Sequence, residues 1–172
     1  MEKLGEKEVI DGDEYEGWAF AGSAIKDIRL PSTLKRVEAG TFSRCNKLWK
    51  IEIPSGVESI GRWCFSSTAI EKIELPPVLR VLEEDTFSGC QGLRHVEIPS
   101  GVERIEKRCF EYSGIEEITL PGALKEIGGG AFYKCTSLRN IQLPDGLETI
   151  GSFCFYYSGL EEVVLPENVK EV

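Results

Sequence analysis

Six cysteines, one histidine and 29 acidic residues are the groups in this 172-residue chain that could do chemistry. Cysteines offer disulfides, metal ligation or a nucleophilic thiolate. Their positions weigh against all three. Cys45, Cys90 and Cys135 recur every 45 residues, and so do Cys64, Cys109 and Cys154. A single active site does not space residues this way; a stacked unit does, with each cysteine in the same slot. Same-column cysteines lie two units apart, about 10 Å on strand spacing. Disulfide Cα atoms sit roughly 4.4–6.8 Å apart. A cross-column pair such as Cys45 with Cys64 stays open. There is no C-x-x-C, and His95 is the only histidine, so neither a metal site nor a cofactor is expected. Along the chain one slot reads Ser23, Cys45, Thr68, Cys90, Ser113, Cys135, Ser158. Cysteine alternates there with hydroxyl residues, which predicts small, buried, free structural thiols.

The other routes to catalysis fare no better. A Ser-His-Asp arrangement would have to use His95, which falls in a variable surface column. "IGGGAF", Ile127 to Phe132, lacks the lysine and spacing of a phosphate loop. Aligned carboxylates could mimic a glycosidase pair, but a repeat aligns side chains without any catalytic role. The chain is therefore expected not to be an enzyme.

The 45-residue period splits into two units. Leu/Ile-Pro pairs begin at Leu30, Ile53, Leu75, Ile98, Leu120, Leu143 and Leu165, with steps of 23 and 22 in strict alternation. Ile51 and Ile53 are two apart and face one side of a short strand. Pro54 lacks an amide hydrogen and ends the ladder there. The spacing from Ile60 to Phe65 predicts a short helix or 3₁₀ turn. A lone unit cannot bury its apolar side, so units must stack, as in a solenoid. Long returns between successive strands make their pairing parallel. The expected fold is α/β: seven parallel strands on one side, short helices or 3₁₀ turns on the other.

The pattern L-x-x-I-x-I/L-P-x-x-V/L-x-x-I-x-x-x-x-F-x-x-C resembles the BspA-type, or Treponema-type, leucine-rich repeat. "LRNIQLPDGLETIGSFCF", Leu138 to Phe155, shows it plainly. The resemblance covers residues 18 to 172. It implies a right-handed leucine-rich repeat solenoid, with its parallel sheet on a concave face used for binding. One departure matters. The asparagine slot of ordinary leucine-rich repeats holds Thr33, Gly56, Val78, Gly101, Ala123 and Gly146, with asparagine only at Asn168. The tight bend must then be held by the proline and small residues.

Residues 18–172 form the repeat domain, and residues 1–17 fit the repeat poorly and are expected to form an irregular N-terminal cap. No apolar run is long enough to span a membrane, and the acidic start does not read as a signal peptide. The net charge of −9 argues against nucleic acid, whose affinity comes from phosphate neutralisation. The repeat stops inside a unit at "PENVKEV". That leaves either a cut from a longer array or self-association through the C-terminal end. Location stays open.

One column alternates in sign without a break: Lys35, Glu58, Arg80, Glu103, Lys125, Glu148, Lys170. It predicts ion pairs between adjacent units that set register. The outward strand positions vary most. One column reads Asp27, Lys50, Lys72, His95, Glu117, Asn140, Glu162, and the next Arg29, Glu52, Glu74, Glu97, Thr119, Gln142, Val164. Trp49 stands alone in a charged column and is expected to be an exposed anchor. The candidate partner-binding residues are Trp49, Lys50, Glu52, Lys72, Glu74, His95, Glu97, Glu117, Thr119, Asn140, Gln142 and Glu162. Tyr112, Tyr133, Phe153, Tyr156 and Tyr157 crowd the C-terminal turns, where covering the open end is favoured over a second sticky patch. The expected function is recognition of a protein or glycan through the concave face; the alternative is a structural spacer, or a fragment of a longer repeat array, with no ligand of its own.

Overall fold

A pair of apolar residues two apart, closed by a proline, gives each unit a strand of at most three residues. The computed structural model describes residues 17–172. The expected cap therefore lies outside the described residues, except for Gly17. Two rows of parallel strands run along the solenoid. The first row holds β1 (Asp27–Arg29), β3 (Lys50–Glu52), β6 (His95–Glu97) and β8 (Glu117–Thr119). The second holds β2 (Arg36–Val37), β4 (Ser59–Ile60), β5 (Val81–Leu82), β7 (Arg104–Ile105), β9 (Glu126–Ile127) and β10 (Thr149–Ile150).

Register follows the repeat. β1 pairs with β3 through Ile28 and Ile51, and β6 pairs with β8 through Val96 and Ile118. In the second row β2 pairs with β4, while β5, β7, β9 and β10 form one continuous ladder. The first row is thus two pairs rather than the seven continuous strands expected. The equivalent segments at 72–74, 140–142 and 162–164 carry the same apolar pattern but form no ladder.

Between the rows, each bend is closed as the proline pattern predicts. The amide three residues on donates to the proline carbonyl: Leu34 to Pro31, Val57 to Pro54, Leu79 to Pro76, and so on to Val169 and Pro166. The single asparagine in that slot, Asn168, donates across the unit boundary to the carbonyl of Asp145 at 2.8 Å.

The side opposite the strands corrects the expectation of helix or 3₁₀ turns. Among the described residues there is no helix of either kind. Each coil instead places two residues four apart in the left-handed region: Trp63 and Ser67 at φ 56° and 57°, Arg108 and Tyr112 at 53° and 55°. That backbone costs an L-residue roughly 1–2 kcal/mol and breaks any helix. It persists because it turns alternate amides outward. Cys64, Ser66 and Thr68 close local turns onto Gly61, Trp63 and Phe65, while Trp63, Phe65 and Ser67 donate to Glu84, Thr86 and Ser88 of the next coil. The same three inter-coil bonds recur from Trp18–Ala39 to Lys134–Tyr156, always from an amide to a carbonyl on its C-terminal side. A helix would have kept those bonds within one unit and left this side of the coils without backbone bonds between them.

Inside lies one core. Phe20, Phe42, Phe65, Phe87, Phe110, Phe132 and Phe155 stack as a column, with centroids 5.4–5.8 Å apart. The five central rings are fully buried, each contributing about 1.5–3 kcal/mol by burial. All six cysteines are buried and free, as the two columns predict, and no cross-column bridge forms. Cys45, Cys90 and Cys135 donate to the carbonyls of Phe20, Phe65 and Phe110, each at 3.0 Å. Each also lies 3.3–3.4 Å from the hydroxyl of Ser23, Thr68 or Ser113.

Candidate functional site

The alternation in each three-residue strand decides what reaches solvent. In β3 the pattern is exposed, buried, exposed: Ile51 enters the core while Lys50 and Glu52 point out. Trp49 precedes the strand and is 49% exposed. One unit on, Ile73 is buried and Glu71, Lys72 and Glu74 are exposed. A groove of about 590 Å³ runs between these two segments, lined by Trp49, Lys50, Ile51, Glu52, Ile53, Glu71, Lys72 and Glu74. Five of the twelve sequence candidates thus meet in one groove.

This groove sits where the first-row ladder stops. β3 is bonded to β1 only. The one backbone bond joining the 49–53 and 71–75 segments runs from Glu71 to Trp49, at 3.5 Å. Among the described residues, the amides and carbonyls of 72–75 enter no backbone hydrogen bond. The groove therefore has a floor of isoleucine, charged walls and an unpaired stretch of extended backbone.

Its charges fall into two groups. Glu52 is held by Arg29, Nε to Oε2 at 2.7 Å, and faces Lys50 at 3.6 Å. The Arg29 hydrogen bond holds the Glu52 carboxyl below the usual carboxylate range. Glu71, Lys72 and Glu74 enter no ion pair among the described residues. Sequence reading did not place Glu71 at the site, although its position one unit after Trp49 in the same column was the available signal.

The other candidates lie apart from the groove. His95 faces Glu117 and Glu97 faces Thr119 across the β6–β8 pair, all four exposed. Asn140, Gln142 and Glu162 are exposed on segments outside the ladder. The alternating charge column forms fewer ion pairs than its pattern predicts. Lys35–Glu58 (3.4 Å) and Lys170–Glu148 (2.8 Å) form, whereas Arg80 and Lys125 donate to the carbonyls of Gly101 and Gly146. These side chains are exposed, so no burial forces a cation onto the neighbouring acid rather than a carbonyl. The column of Trp49 holds one such pair, Arg94 and Glu116 at 3.1 Å.

On the coil side a cluster that the sequence reading missed joins three residues. Arg108 binds Asp85 through Nε and Nη2 and reaches Glu84 at 2.7 Å. Asp85 is buried and has a left-handed backbone, so the pair fixes adjacent coils rather than forming a ligand site. The aromatic cluster is real: Tyr133 stacks on Tyr156, and Lys134 lies 4.9 Å above the Tyr112 ring. It does not cover the end. Phe153 and Tyr157 are exposed, as are Val163, Val164, Leu165 and Val172. Among the described residues no helix is long and apolar enough to cross a membrane, and no group of three His, Cys, Asp or Glu is placed to hold a metal ion.

Parallel strands, proline-closed bends and a stacked phenylalanine column define a leucine-rich repeat solenoid. The family model of the BspA type leucine rich repeat region matches residues 14–129 and 64–172 in six copies, and the chain belongs to that family. It is similar to a leucine-rich repeat protein from Bacteroides ovatus, at 30% identity over 84% of this chain, with a TM-score of 0.80. A leucine rich cell surface protein from Faecalibacterium prausnitzii matches at 30% identity over 70% of the chain, with a TM-score of 0.66. The leucine rich repeat protein of T. pallidum matches at 27% identity over 90% of the chain, with a TM-score of 0.58. The chain spans 40%, 32% and 59% of those three structures. No curated protein shows significant similarity to it. Leucine-rich repeat proteins generally bind proteins and are generally non-enzymatic.

Proposed function

We propose that this chain is a non-catalytic recognition module that binds a protein or glycan partner through the concave, strand-bearing face. The observation that carries this reading is the groove beside Trp49. There an exposed indole, unpaired charges and unbonded backbone come together in one groove. Exposed aromatic side chains flanked by polar groups are the residues that dominate binding energies. The varied outward columns, from Lys50 to Glu162, supply specificity along the face while the core columns stay constant.

The test is a pull-down with the intact chain against a variant substituted at Lys50, Glu74 and Glu117. These three are exposed, so the fold should persist. Loss of capture with an unchanged melting temperature supports the reading; capture equal to that of the intact chain ends it.

A second reading is a spacer. It expects every substitution on the strand face to be silent in binding. End-on self-association through the exposed Val163, Leu165 and Val172 is tested by sedimentation at high concentration.

A further inference from the structure

The groove between β3 and residues 71–75 has features that narrow its occupant. We infer that it takes an extended peptide bearing an arginine, with the guanidinium against the Trp49 indole and the Glu71 and Glu74 carboxylates. This rests on the recognition reading above and names the partner class for that site.

The backbone supplies the first reason. An extended segment with unbonded amides and carbonyls, at 72–75, lies along one wall. Unbonded groups of this kind are the ones an extended chain laid against them would satisfy, with the side pockets reading alternate residues. A folded sugar or a helix offers no matching row of donors and acceptors.

Charge supplies the second. Glu52 is already occupied by Arg29 and Lys50. Two cations on one carboxylate leave a surplus positive charge there, which the net negative charge of Glu71, Lys72 and Glu74 offsets. Glu97, the next outward residue in the Glu74 column, also enters no ion pair among the described residues and makes the balance negative. A cation is favoured over an anion. Lys72, at the centre, is left to donate to a peptide carbonyl.

Geometry supplies the third. Trp49 presents an exposed indole on the same groove as both free carboxylates. A guanidinium stacks flat on an indole while its edge donates two hydrogen bonds to a carboxylate. A lysine ammonium can do only one of these well.

The test is calorimetric titration of the full chain with blocked heptapeptides carrying arginine, lysine, glutamine or glutamate at one central position. At low salt the arginine peptide should bind at least tenfold more tightly than the glutamine and glutamate peptides, with lysine between. Rising salt should weaken it. Trp49→Ala and Glu74→Gln should each reduce binding at least tenfold at unchanged melting temperature, and Glu167→Gln, at an exposed position on the last bend, should not. Equal binding of the glutamate peptide, no binding of the arginine peptide, or an unaltered Trp49→Ala titration overturns the inference. The two readings fail separately. An inert arginine peptide beside a triple variant that still loses its partner ends only the arginine assignment. Arginine binding beside a triple variant that keeps its partner ends the recognition reading and leaves the groove.

Discussion

The thiol of Cys90 donates to the carbonyl of Phe65, 25 residues back, at 3.0 Å. The bond crosses a unit boundary inside the core, beside the Thr68 hydroxyl that shares the same carbonyl at 2.9 Å. Cysteine here is a small donor that joins coils. Cys90→Ala should lower stability by about 2 kcal/mol, from lost sulfur burial and the lost bond. Urea unfolding measures it. In the native protein a thiol reagent should find no reactive group, and after denaturation without reductant it should find six.

Burial also sets a response to alkali. It pushes the Cys90 and Cys135 thiols up to about 11 and Cys154 up to about 12, with Cys64 and Cys109 also raised. In the unfolded chain these thiols ionise near their ordinary value of about 8.5. Above that pH the unfolded state holds fewer protons than the native state, so stability falls as pH rises. The melting temperature should be flat with respect to these groups below about pH 8 and drop steadily from pH 9 towards 11. A cysteine-to-alanine variant at Cys154 should show a shallower slope.

The phenylalanine column predicts a gradient along the solenoid. Phe87 is fully buried between Phe65 and Phe110, at 5.6 and 5.4 Å. Phe87→Ala should cost about 3–5 kcal/mol. Phe20 is 42% exposed and has one ring neighbour among the described residues, so Phe20→Ala should cost about half as much or less. Thermal unfolding of the two variants tests the order.

Charged pairs should divide by burial. Arg108→Ala strands the Asp85 carboxylate, whose side chain is 9% exposed, and should cost about 1–3 kcal/mol. Lys35→Ala leaves Glu58 in water and should cost less than about 0.5 kcal/mol. High salt should erase the second effect and spare most of the first.

Much of the architecture was legible because one slot repeats. Ile51, Ile73, Val96 and Ile118 share a column, and all four are buried. The proline bends were equally readable, since a missing amide and a fixed φ act locally. The coil side was not. Nothing in the spacing from Ile60 to Phe65 encodes a left-handed backbone at Trp63, a residue that ordinarily avoids it. Only Gly40 and Gly130, equivalent to Trp63, and Gly22 and Gly89, equivalent to Ser67, hint at that geometry. The groove was half legible. Trp49 announced itself as an exception to its column, but the break in the ladder at 72–75 did not. Ile73 carries the same pattern as the paired Val96, and pairing depends on the neighbours' placement rather than on pattern.

The hydroxyl-then-thiol contact is one-way: Ser23 meets Cys45, Thr68 meets Cys90 and Ser113 meets Cys135. The heritable block of this chain is accordingly a doublet. A recombination that gains or loses 45 residues restores every match across the splice. One that gains or loses a single unit sets thiol beside thiol, or hydroxyl beside hydroxyl, at the new junction. Arrays of this type should therefore expand and contract by even steps, and length variants among relatives should fall into classes separated by whole doublets.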